Sequence, residues 1–273
     1  MKTEWLAFAV SNFDFRRLAL NWARALEAIG INNYIIHCID KKCKDYMDEN
    51  KANSVFDPIN RNKGFNLQLT TKRYKIVADY LHNGIPVVYS DVDAIWLEPP
   101  YVNLTGADLY VSTCKHKTAA PKDIMREWGC TICSGWLAFM PQSLELVQSF
   151  VQNHKKYQAR SKHYCDQSML NRFLFENPKD FSKSEDYEFC FTEGRFDQRV
   201  IGLPQSVVNR ASVNNFKCDK LSFDQRMNYM IDLDWFNLGK VCHPRLSDHY
   251  HKQSSVAKKR EAFFKKNDIW FVD

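Results

Sequence analysis

Two hydrophobic patterns alternate along the first third of the chain. Short continuous apolar runs predict buried strands, whereas apolar residues spaced three and four apart predict amphipathic helices. The apolar runs fall at residues 4–10, 33–39 and 86–89, and the helical spacing falls at residues 15–29 and 67–83. A glycine follows each helical segment, as is typical of a helix C-terminus. The order strand, helix, strand, helix, strand predicts a parallel sheet with crossover helices.

The rest of the chain has a more mixed pattern. Asp166 precedes a helical segment, where an aspartate side chain accepts a hydrogen bond from the first turn. Residues 192–250 contain several Asn, Asp and Gly breaks and are predicted to be irregular. No repeat or linker interrupts the chain, so we expect a single α/β domain with an elaborated C-terminal half. The strands predicted in this part are residues 108–112, 135–140 and 187–191, and the predicted helices are residues 142–157, 167–175 and 255–266.

Composition and charge narrow the classes of function. The chain has 273 residues, of which 45% are hydrophobic, and it can bury a full core. Its net charge of +6 is spread thinly, whereas nucleic-acid-binding domains more often have a pI above about 9 and a basic stripe. We therefore expect no nucleic-acid partner. The small excess of positive charge fits a site for a nucleotide diphosphate, and it fits a solvated surface equally well. Its densest cluster is Lys258, Lys259, Arg260, Lys265 and Lys266.

The chain carries no sign of a membrane span or a disulfide framework. No apolar run approaches the roughly 18 to 20 residues of a membrane span, and the N-terminal stretch lacks the features of a signal peptide. These patterns predict a cytoplasmic location without a transmembrane segment. The nine cysteines are then expected to be free and buried. Cys130 and Cys133 form a lone CxxC pair, and a zinc site that includes His116 is an alternative that needs four ligands.

The most informative stretch is residues 87–99, VVYSDVDAIWLEP, in which an apolar run ends in two aspartates. In a strand, side chains two residues apart point to the same face, so Asp91 and Asp93 are expected to converge. Ligands of open α/β sheets bind at the carboxyl ends of the strands, and hard divalent cations prefer oxygen ligands. The pair therefore predicts a site for a divalent cation that also holds a phosphate. A solvated aspartate turn is the alternative interpretation.

Several motifs occur in an order that resembles a known family. They are DVDAIWLEPP at residues 91–100, the pair Lys72–Arg73, CSGW at residues 133–136, the pair Asp166–Gln167 and a late histidine-rich segment. Together they resemble the nucleotide-diphospho-sugar transferase family and are similar to glycosyltransferase family seventy-seven, whose members adopt the GT-A fold. The resemblance covers most of the chain, and the DVDxxWL block is its most specific part.

This resemblance implies a fold as well as a function. The expected fold is a GT-A-type, Rossmann-like mixed sheet flanked by helices. It implies one GT-A-like domain over residues 1–273, with a nucleotide-sugar-binding half at about 1–112 and an acceptor-binding half at about 113–273.

The resemblance assigns metal binding to the aspartates and to a late histidine. Asp91 is expected on the metal, ribose or sugar side, and Asp93 is expected to be the firmer ligand of Mn²⁺ or Mg²⁺. His249 and His251 are both candidates for the next ligand, and His249 is preferred. Relatives often have a glycine after this histidine, whereas residues 252–255 here read KQSS.

Further residues are implied for the nucleotide, the sugar and the reaction. Asp166 or Gln167 is expected to stabilise an oxocarbenium-like transition state, as carboxylates do in glycoside hydrolysis. An ordinary N-cap aspartate is the alternative. By resemblance, Ala9, Val10 and Ser11 are expected to bind uridine, Ser134 and Gly135 to line the sugar or acceptor side, and Asp91 to contact the nucleotide sugar. On chemical grounds, Lys252 or Lys258 is expected to neutralise phosphate charge. Lys72 is expected to reach the nucleotide, and an exposed face of an amphipathic helix is the alternative.

These features predict a metal-dependent glycosyltransferase. By resemblance, it transfers galactose or xylose from a UDP-sugar to a hydroxyl of a glycan or glycoprotein acceptor, with retention at the anomeric carbon. One alternative is a two-aspartate metal-dependent phosphoryl hydrolase, and another is a non-catalytic module that binds glycan or nucleic acid. The chain has no HExxH, GxxxxGK[ST] or GxSxG motif, which weakens the hydrolase and NTPase alternatives.

Overall fold

The computed structural model of the protein describes most of the chain. The described residues are 5–59, 65–100, 106–115, 121–159, 166–175, 179–184, 189–192, 198–204, 207–209, 241–243, 253–266 and 268–272. The chain divides into two compact units. The first unit comprises Met1–Ala7, Ile59–Tyr89 and Val102–Pro204, and the second comprises Phe8–Pro58, Ser90–Tyr101 and Gln205–Asp273.

Strands and helices alternate along the described chain. The strands are β1 Leu6–Ser11, β2 Tyr34–Cys38, β3 Ser54–Phe56, β4 Val87–Ser90, β5 Ile95–Trp96, β6 Leu109–Cys114, β7 Thr131–Phe139, β8 Lys179–Ser182, β9 Phe189–Thr192, β10 Val200–Leu203, β11 Val208–Asn209 and β12 Val241–Cys242. The α-helices are α1 Arg16–Ala28, α2 Lys41–Glu49, α3 Phe65–His82, α4 Lys122–Trp128, α5 Leu144–Ala159, α6 Asp166–Phe175 and α7 Gln253–Lys266. Short 3₁₀ turns occur at Phe13–Phe15 and Pro141–Ser143. Mixed strands flanked by helices confirm the predicted α/β fold class.

The first unit contains a mixed sheet that includes the start of β1. Its described strands follow the order β1, β4, β7, β6, β10, β9, β8. β10 runs parallel to β6, whereas β6 and β7 are antiparallel. Every residue of β7 is buried, so this strand is central to the core. On the helical side, Tyr74 of α3 meets Phe150 of α5 edge-on with ring centroids 4.7 Å apart.

A bulge interrupts the pairing of β6 with β7. Val111 pairs with Leu137 and the next residue, Ser112, pairs with Cys133, so residues 134–136 of β7 have no opposite residue on β6. Bulges of this kind re-aim side chains and are common next to active sites. The strand predicted at residues 135–140 is present, but it begins earlier, at Thr131, and it contains the bulge.

The second unit contains the rest of β1 and two small sets of strands. β3, β2 and β1 are neighbours in that order, and β2 and β3 are parallel. β11, β12 and β5 form a separate three-stranded sheet, in which β12 is antiparallel to β5. The segment after α7 is attached to α1 by Asn21, a fully buried residue. The side chain of Asn21 donates to the carbonyl of Ile269 at 3.2 Å and accepts from the amide of Phe271 at 2.5 Å.

The pattern predictions hold best where the apolar signal is strong. The strands and helices predicted in the first third are present, with ends displaced by a few residues, as is usual for element boundaries. The polar helix α2 was missed, because Cys43 and Met47 are its only buried residues. The prediction that residues 192–250 are irregular is wrong at β10, β11 and β12. Within the described part of the chain, no helix is both long and apolar enough to cross a membrane.

Candidate metal centre and donor site

The two aspartates lie on a tight turn directly after β4. The strand ends at Ser90, and the amide of Ala94 donates to the carbonyl of Asp91 at 2.9 Å, which closes a β-turn. Asp91 and Asp93 are the first and third residues of this turn. The two side chains converge as predicted, but the reason given from strand alternation is wrong, because the turn brings them together.

A histidine from a distant part of the sequence completes the group. His243 follows β12, which pairs with β5 through Val241 opposite Trp96 and Cys242 opposite Ile95. This pairing brings His243 Nε2 to 3.5 Å from Asp93 Oδ1 and 3.7 Å from Asp91 Oδ2. The side chains of His243 and Asp93 are both 4% exposed, and that of Asp91 is 32% exposed. The group is therefore buried on one side and open on the other.

The donor set fits a hard divalent cation. One ligand atom from each of the three residues lies within 4.8 Å of the others. Octahedral Mg²⁺ has ligands at about 2.1 Å, which places neighbouring ligand atoms about 3 Å apart. The measured separations of 3.5 and 3.7 Å are close to that spacing. Carboxylate oxygens suit Mg²⁺ and Mn²⁺, and imidazole is a common ligand of transition metals.

His243 was not predicted from the sequence, because the histidine ligand was expected in the histidine-rich segment. His249 and His251 lie outside the described residues, so their assignment stays a prediction. A usable signal was present, because Val241–Cys242 is a short apolar run that ends at a histidine. A strand with a candidate ligand at its carboxyl end has the same form as β4 followed by the aspartates.

A cation from α7 contacts the second aspartate. Arg260 Nη1 lies 3.1 Å from Asp93 Oδ2. The guanidinium also lies 6.0 Å from the centre of the Phe15 ring, which is within the range of a cation–π contact. Arginine offers a planar fork of donors that suits phosphate groups. In the sequence, Arg260 stands out only as one member of the basic cluster. Lys258 on the same helix is exposed, and Lys252 lies outside the described residues.

The predicted uridine pocket lies at the carboxyl end of β1. Ala9 and Ser11 are buried, and Val10 is half-buried. The carbonyl of Ser11 accepts from the amide of Ile39 at 2.9 Å. Asp40, just after β2, accepts hydrogen bonds through its carboxylate from the amides of Phe13 at 3.0 Å and Cys43 at 2.9 Å. These bonds fix the loops around the strand end, and its role in binding uridine stays a prediction.

The other predicted residues lie in the first unit, around Arg73. Arg73 Nη1 lies 2.8 Å from Asp166 Oδ2, and both side chains are almost buried, at 11% and 10% exposed. The same nitrogen lies 3.4 Å from the carbonyl of Ser134, and the guanidinium sits 4.6 Å from the centre of the Tyr89 ring. Arg73 therefore joins the first residue of α6 to the bulge of β7.

The neighbours of Arg73 and Asp166 are differently exposed. Lys72 and Gln167 are half-buried, whereas Ser134, Gly135 and Trp136 are buried within β7. Asn171 joins α6 to β7. Its side chain donates to the carbonyl of Ile132 and accepts from the amide of Ile132, both at 2.8 Å. The roles predicted for these residues in donor binding and catalysis remain predictions.

Comparison with known proteins identifies the family. The family model for nucleotide-diphospho-sugar transferases matches residues 30–243, which include both aspartates and end at His243. The chain belongs to the nucleotide-diphospho-sugar transferase family. The resemblance stated from the motifs is thereby confirmed. A search of curated proteins returned no match.

Solved glycosyltransferases share the fold of this family member. The apo form of the glycosyltransferase GlyE from Streptococcus pneumoniae TIGR4 has 10% sequence identity and a TM-score of 0.56, and the match covers 98% of this chain and 64% of GlyE. The apo structure of the bifunctional glycosyltransferase WbbM has 11% identity and a TM-score of 0.55, with 98% of this chain and 51% of WbbM covered. The chain thus spans about two thirds and one half of these proteins. At such low identity the likeness concerns the fold alone.

The zinc alternative gains no support from the described residues. Among them, the group of possible ligands that converges is Asp91, Asp93 and His243. Cys130 and Cys133 are buried free cysteines, and His116 lies outside the described residues.

Proposed function

We propose that this transferase-family protein is a metal-dependent glycosyltransferase that uses a UDP-sugar. The observation that carries the proposal is the group formed by Asp91, Asp93 and His243 at the end of β4, with Arg260 beside it. The donor sugars to be tested first are galactose and xylose, and the proposed acceptor is a hydroxyl of a glycan or glycoprotein. The choice of these two sugars and of this acceptor rests on the resemblance of the motifs.

The proposed reaction breaks the bond between the anomeric carbon and the β-phosphate oxygen of the donor. The electron pair of that bond leaves with UDP, a new bond forms between the anomeric carbon and the acceptor oxygen, and the acceptor hydroxyl passes its proton to a β-phosphate oxygen of the departing UDP. Asp91, Asp93 and His243 would hold Mn²⁺ or Mg²⁺, which when bound offsets the charge that develops on the diphosphate, typically by several kcal/mol.

Arg260 is proposed to bind the diphosphate directly. Its guanidinium carries five N–H donors, and the contact with Asp93 uses only part of this set. Charge-assisted hydrogen bonds from arginine to phosphate are short and are stronger than neutral ones. A cation fixed by an ion pair and by the Phe15 ring is preorganised, so little is lost in ordering it when the ligand arrives.

Asp166 and Gln167 are proposed as the groups that stabilise positive charge at the anomeric carbon. The support for Asp166 is its ion pair with Arg73, which fixes the orientation of a nearly buried carboxylate. Retention of configuration is proposed from the resemblance, and a carboxylate on the face opposite the leaving group is what retaining glycosidases use.

The test is release of UDP from a panel of UDP-sugars with Mn²⁺, with and without a chelator. We expect release from one donor sugar, its loss on chelation, and its loss in Asp93→Asn. Asp48→Asn is the matched control, because Asp48 is 55% exposed on α2 and pairs with Lys44. Each sugar is tested alone and with a mixture of glycan acceptors. Metal-dependent cleavage of an oligonucleotide or a phosphate ester, without sugar transfer, would instead favour a phosphoryl hydrolase.

A further inference from the structure

A buried serine lies directly before the aspartate turn. Ser90 is the last residue of β4 and is 0% exposed. Its hydroxyl oxygen accepts hydrogen bonds from two indole N–H groups, those of Trp22 and Trp96, each at 3.1 Å. Both tryptophans are themselves 0% exposed. Two neutral donors from separate elements thus converge on a single oxygen.

The indoles and the turn together use all the hydrogen-bonding capacity of the Ser90 hydroxyl. A serine hydroxyl offers one proton and two acceptor lone pairs. The two indoles occupy the lone pairs, so the proton points away from them. The acceptors in that direction are the carbonyl of Asp91 at 3.2 Å and the carbonyl of Ala94 at 3.4 Å. These carbonyls are the two ends of the turn that carries Asp93.

The same cluster reaches the third ligand through β5. Trp96 belongs to β5 and lies opposite Val241 of β12, two residues before His243. Trp22 belongs to α1 and is packed edge-on against Tyr34 of β2, with ring centroids 5.9 Å apart. Ser90 is thus hydrogen-bonded to the turn with both aspartates and, through Trp96, to the strand that pairs with β12 just before the histidine.

We propose that Ser90, fixed by Trp22 and Trp96, is a positioning residue of the metal centre. It acts by holding the backbone of the Asp91–Ala94 turn, and it does not touch the metal. Outer-shell partners that orient metal ligands commonly change metal affinity by 10- to 100-fold when they are removed. The inference rests on the metal-dependent function proposed above, and its test is an affinity for Mn²⁺ alone, without any sugar.

The experiment compares the Kd for Mn²⁺ of wild type, Ser90→Ala and Ser143→Ala by electron paramagnetic resonance of the free ion. Ser143 is the matched control, because it is also 0% exposed and its hydroxyl donates to the Met140 carbonyl at 2.7 Å. Both variants lose one buried serine hydroxyl, and urea titration measures what each loses in stability. We expect Ser90→Ala to bind Mn²⁺ about tenfold more weakly and Ser143→Ala to bind like wild type.

The outcomes separate the inference from the proposed function. Failure of the wild type to bind Mn²⁺ overturns the proposed function and the inference with it. Binding by Ser90→Ala with the wild-type Kd overturns the inference alone, whatever its stability. If Ser90→Ala does not fold, Trp96→Phe takes its place, because it removes one indole donor and keeps an aromatic ring. We then expect about a threefold weaker Kd for Mn²⁺, and an unchanged Kd overturns the inference.

Discussion

The carboxylate of Asp93 is divided between two partners, with Oδ2 at 3.1 Å from Arg260 Nη1 and Oδ1 at 3.5 Å from His243 Nε2. The ion pair with Arg260 fixes the rotation of the carboxylate, so the other oxygen faces the histidine and Asp91. A single residue of α7 thereby orients the ligand and brings a positive charge to the site.

Replacement of Arg260 by alanine is expected to weaken UDP binding about tenfold in the presence of Mn²⁺, because a charge-assisted hydrogen bond to phosphate is lost. Isothermal titration calorimetry with UDP measures the effect. Lys258→Ala is measured in parallel, since Lys258 was predicted from the sequence to neutralise phosphate charge, and Lys75→Ala is the control at an exposed position of α3. A large loss in Lys258→Ala with none in Arg260→Ala would reject the role given to Arg260.

Replacement of His243 by glutamine is expected to weaken Mn²⁺ binding by at least about tenfold, because a nitrogen ligand is removed from a buried group. The Kd for Mn²⁺ is measured in parallel for His249→Gln and His251→Gln, the candidates predicted from the sequence. His82→Gln is the control, because His82 is exposed at the end of α3. If His249→Gln or His251→Gln loses affinity and His243→Gln does not, the histidine ligand has been assigned wrongly.

Replacement of Arg73 by methionine is expected to lower the free energy of unfolding by about 3–5 kcal/mol, because it leaves the charge of Asp166 buried without its cation. Urea denaturation measures the loss. The control is Arg172→Met, which breaks the ion pair with Asp123, whose side chain is 52% exposed. An exposed pair of this kind contributes at most about 1 kcal/mol.

The double variant Arg73→Met with Asp166→Asn isolates the interaction itself. Without the buried carboxylate charge, the double variant is expected to be more stable than the sum of the two single changes predicts. Additive effects would mean that the two side chains stabilise the fold independently.

Stability at alkaline pH is expected to depend on Tyr34. Burial raises the pKa of its phenol from 10.0 to about 12, and a hydrogen bond to Glu27 acts in the same direction. In the unfolded chain the phenol ionises near its ordinary pKa, so between pH 10 and 12 the unfolded state has released a proton that the folded state retains. The free energy of unfolding therefore falls as the pH rises through this window.

Tyr34→Phe removes that contribution. Its stability is expected to be lower than that of wild type at pH 8, where the hydrogen bond is lost, and the difference is expected to shrink above pH 10. Urea titrations of both proteins at pH 8, 10 and 11 measure the difference directly. A constant difference across these pH values would contradict the raised pKa of Tyr34.

Residues close together in sequence were predictable, and those joined by tertiary contacts were not. Asp91 and Asp93 stand out because an apolar strand ends directly before them. The short apolar run Val241–Cys242 marks His243 only as the end of a strand, and the pairing of β12 with β5 that brings it to the aspartates has no local signal in the sequence. Arg260 is one of several basic residues in the sequence. It becomes distinctive only in the folded chain, where its guanidinium contacts Asp93.

Two further features of the fold, helix α2 and the bulge in β7, were not predicted from the sequence, each for a physical reason. Helix α2 escapes a periodicity search because it is mostly polar. Its support comes from the Asp40 cap and from two lysine–aspartate pairs four residues apart. The bulge at residues 134–136 could not be predicted because it is visible only in the register of β7 against β6.

Calorimetric binding of UDP with Mn²⁺, with and without EDTA, to wild type, Asp93→Asn and Asp48→Asn tests the nucleotide site most directly. We expect UDP to bind to wild type and to Asp48→Asn only when free Mn²⁺ is present. We expect Asp93→Asn to lose this metal-dependent binding. UDP binding that is absent in the wild type, or that persists in EDTA or in Asp93→Asn, would contradict a nucleotide site built on Asp91, Asp93 and His243.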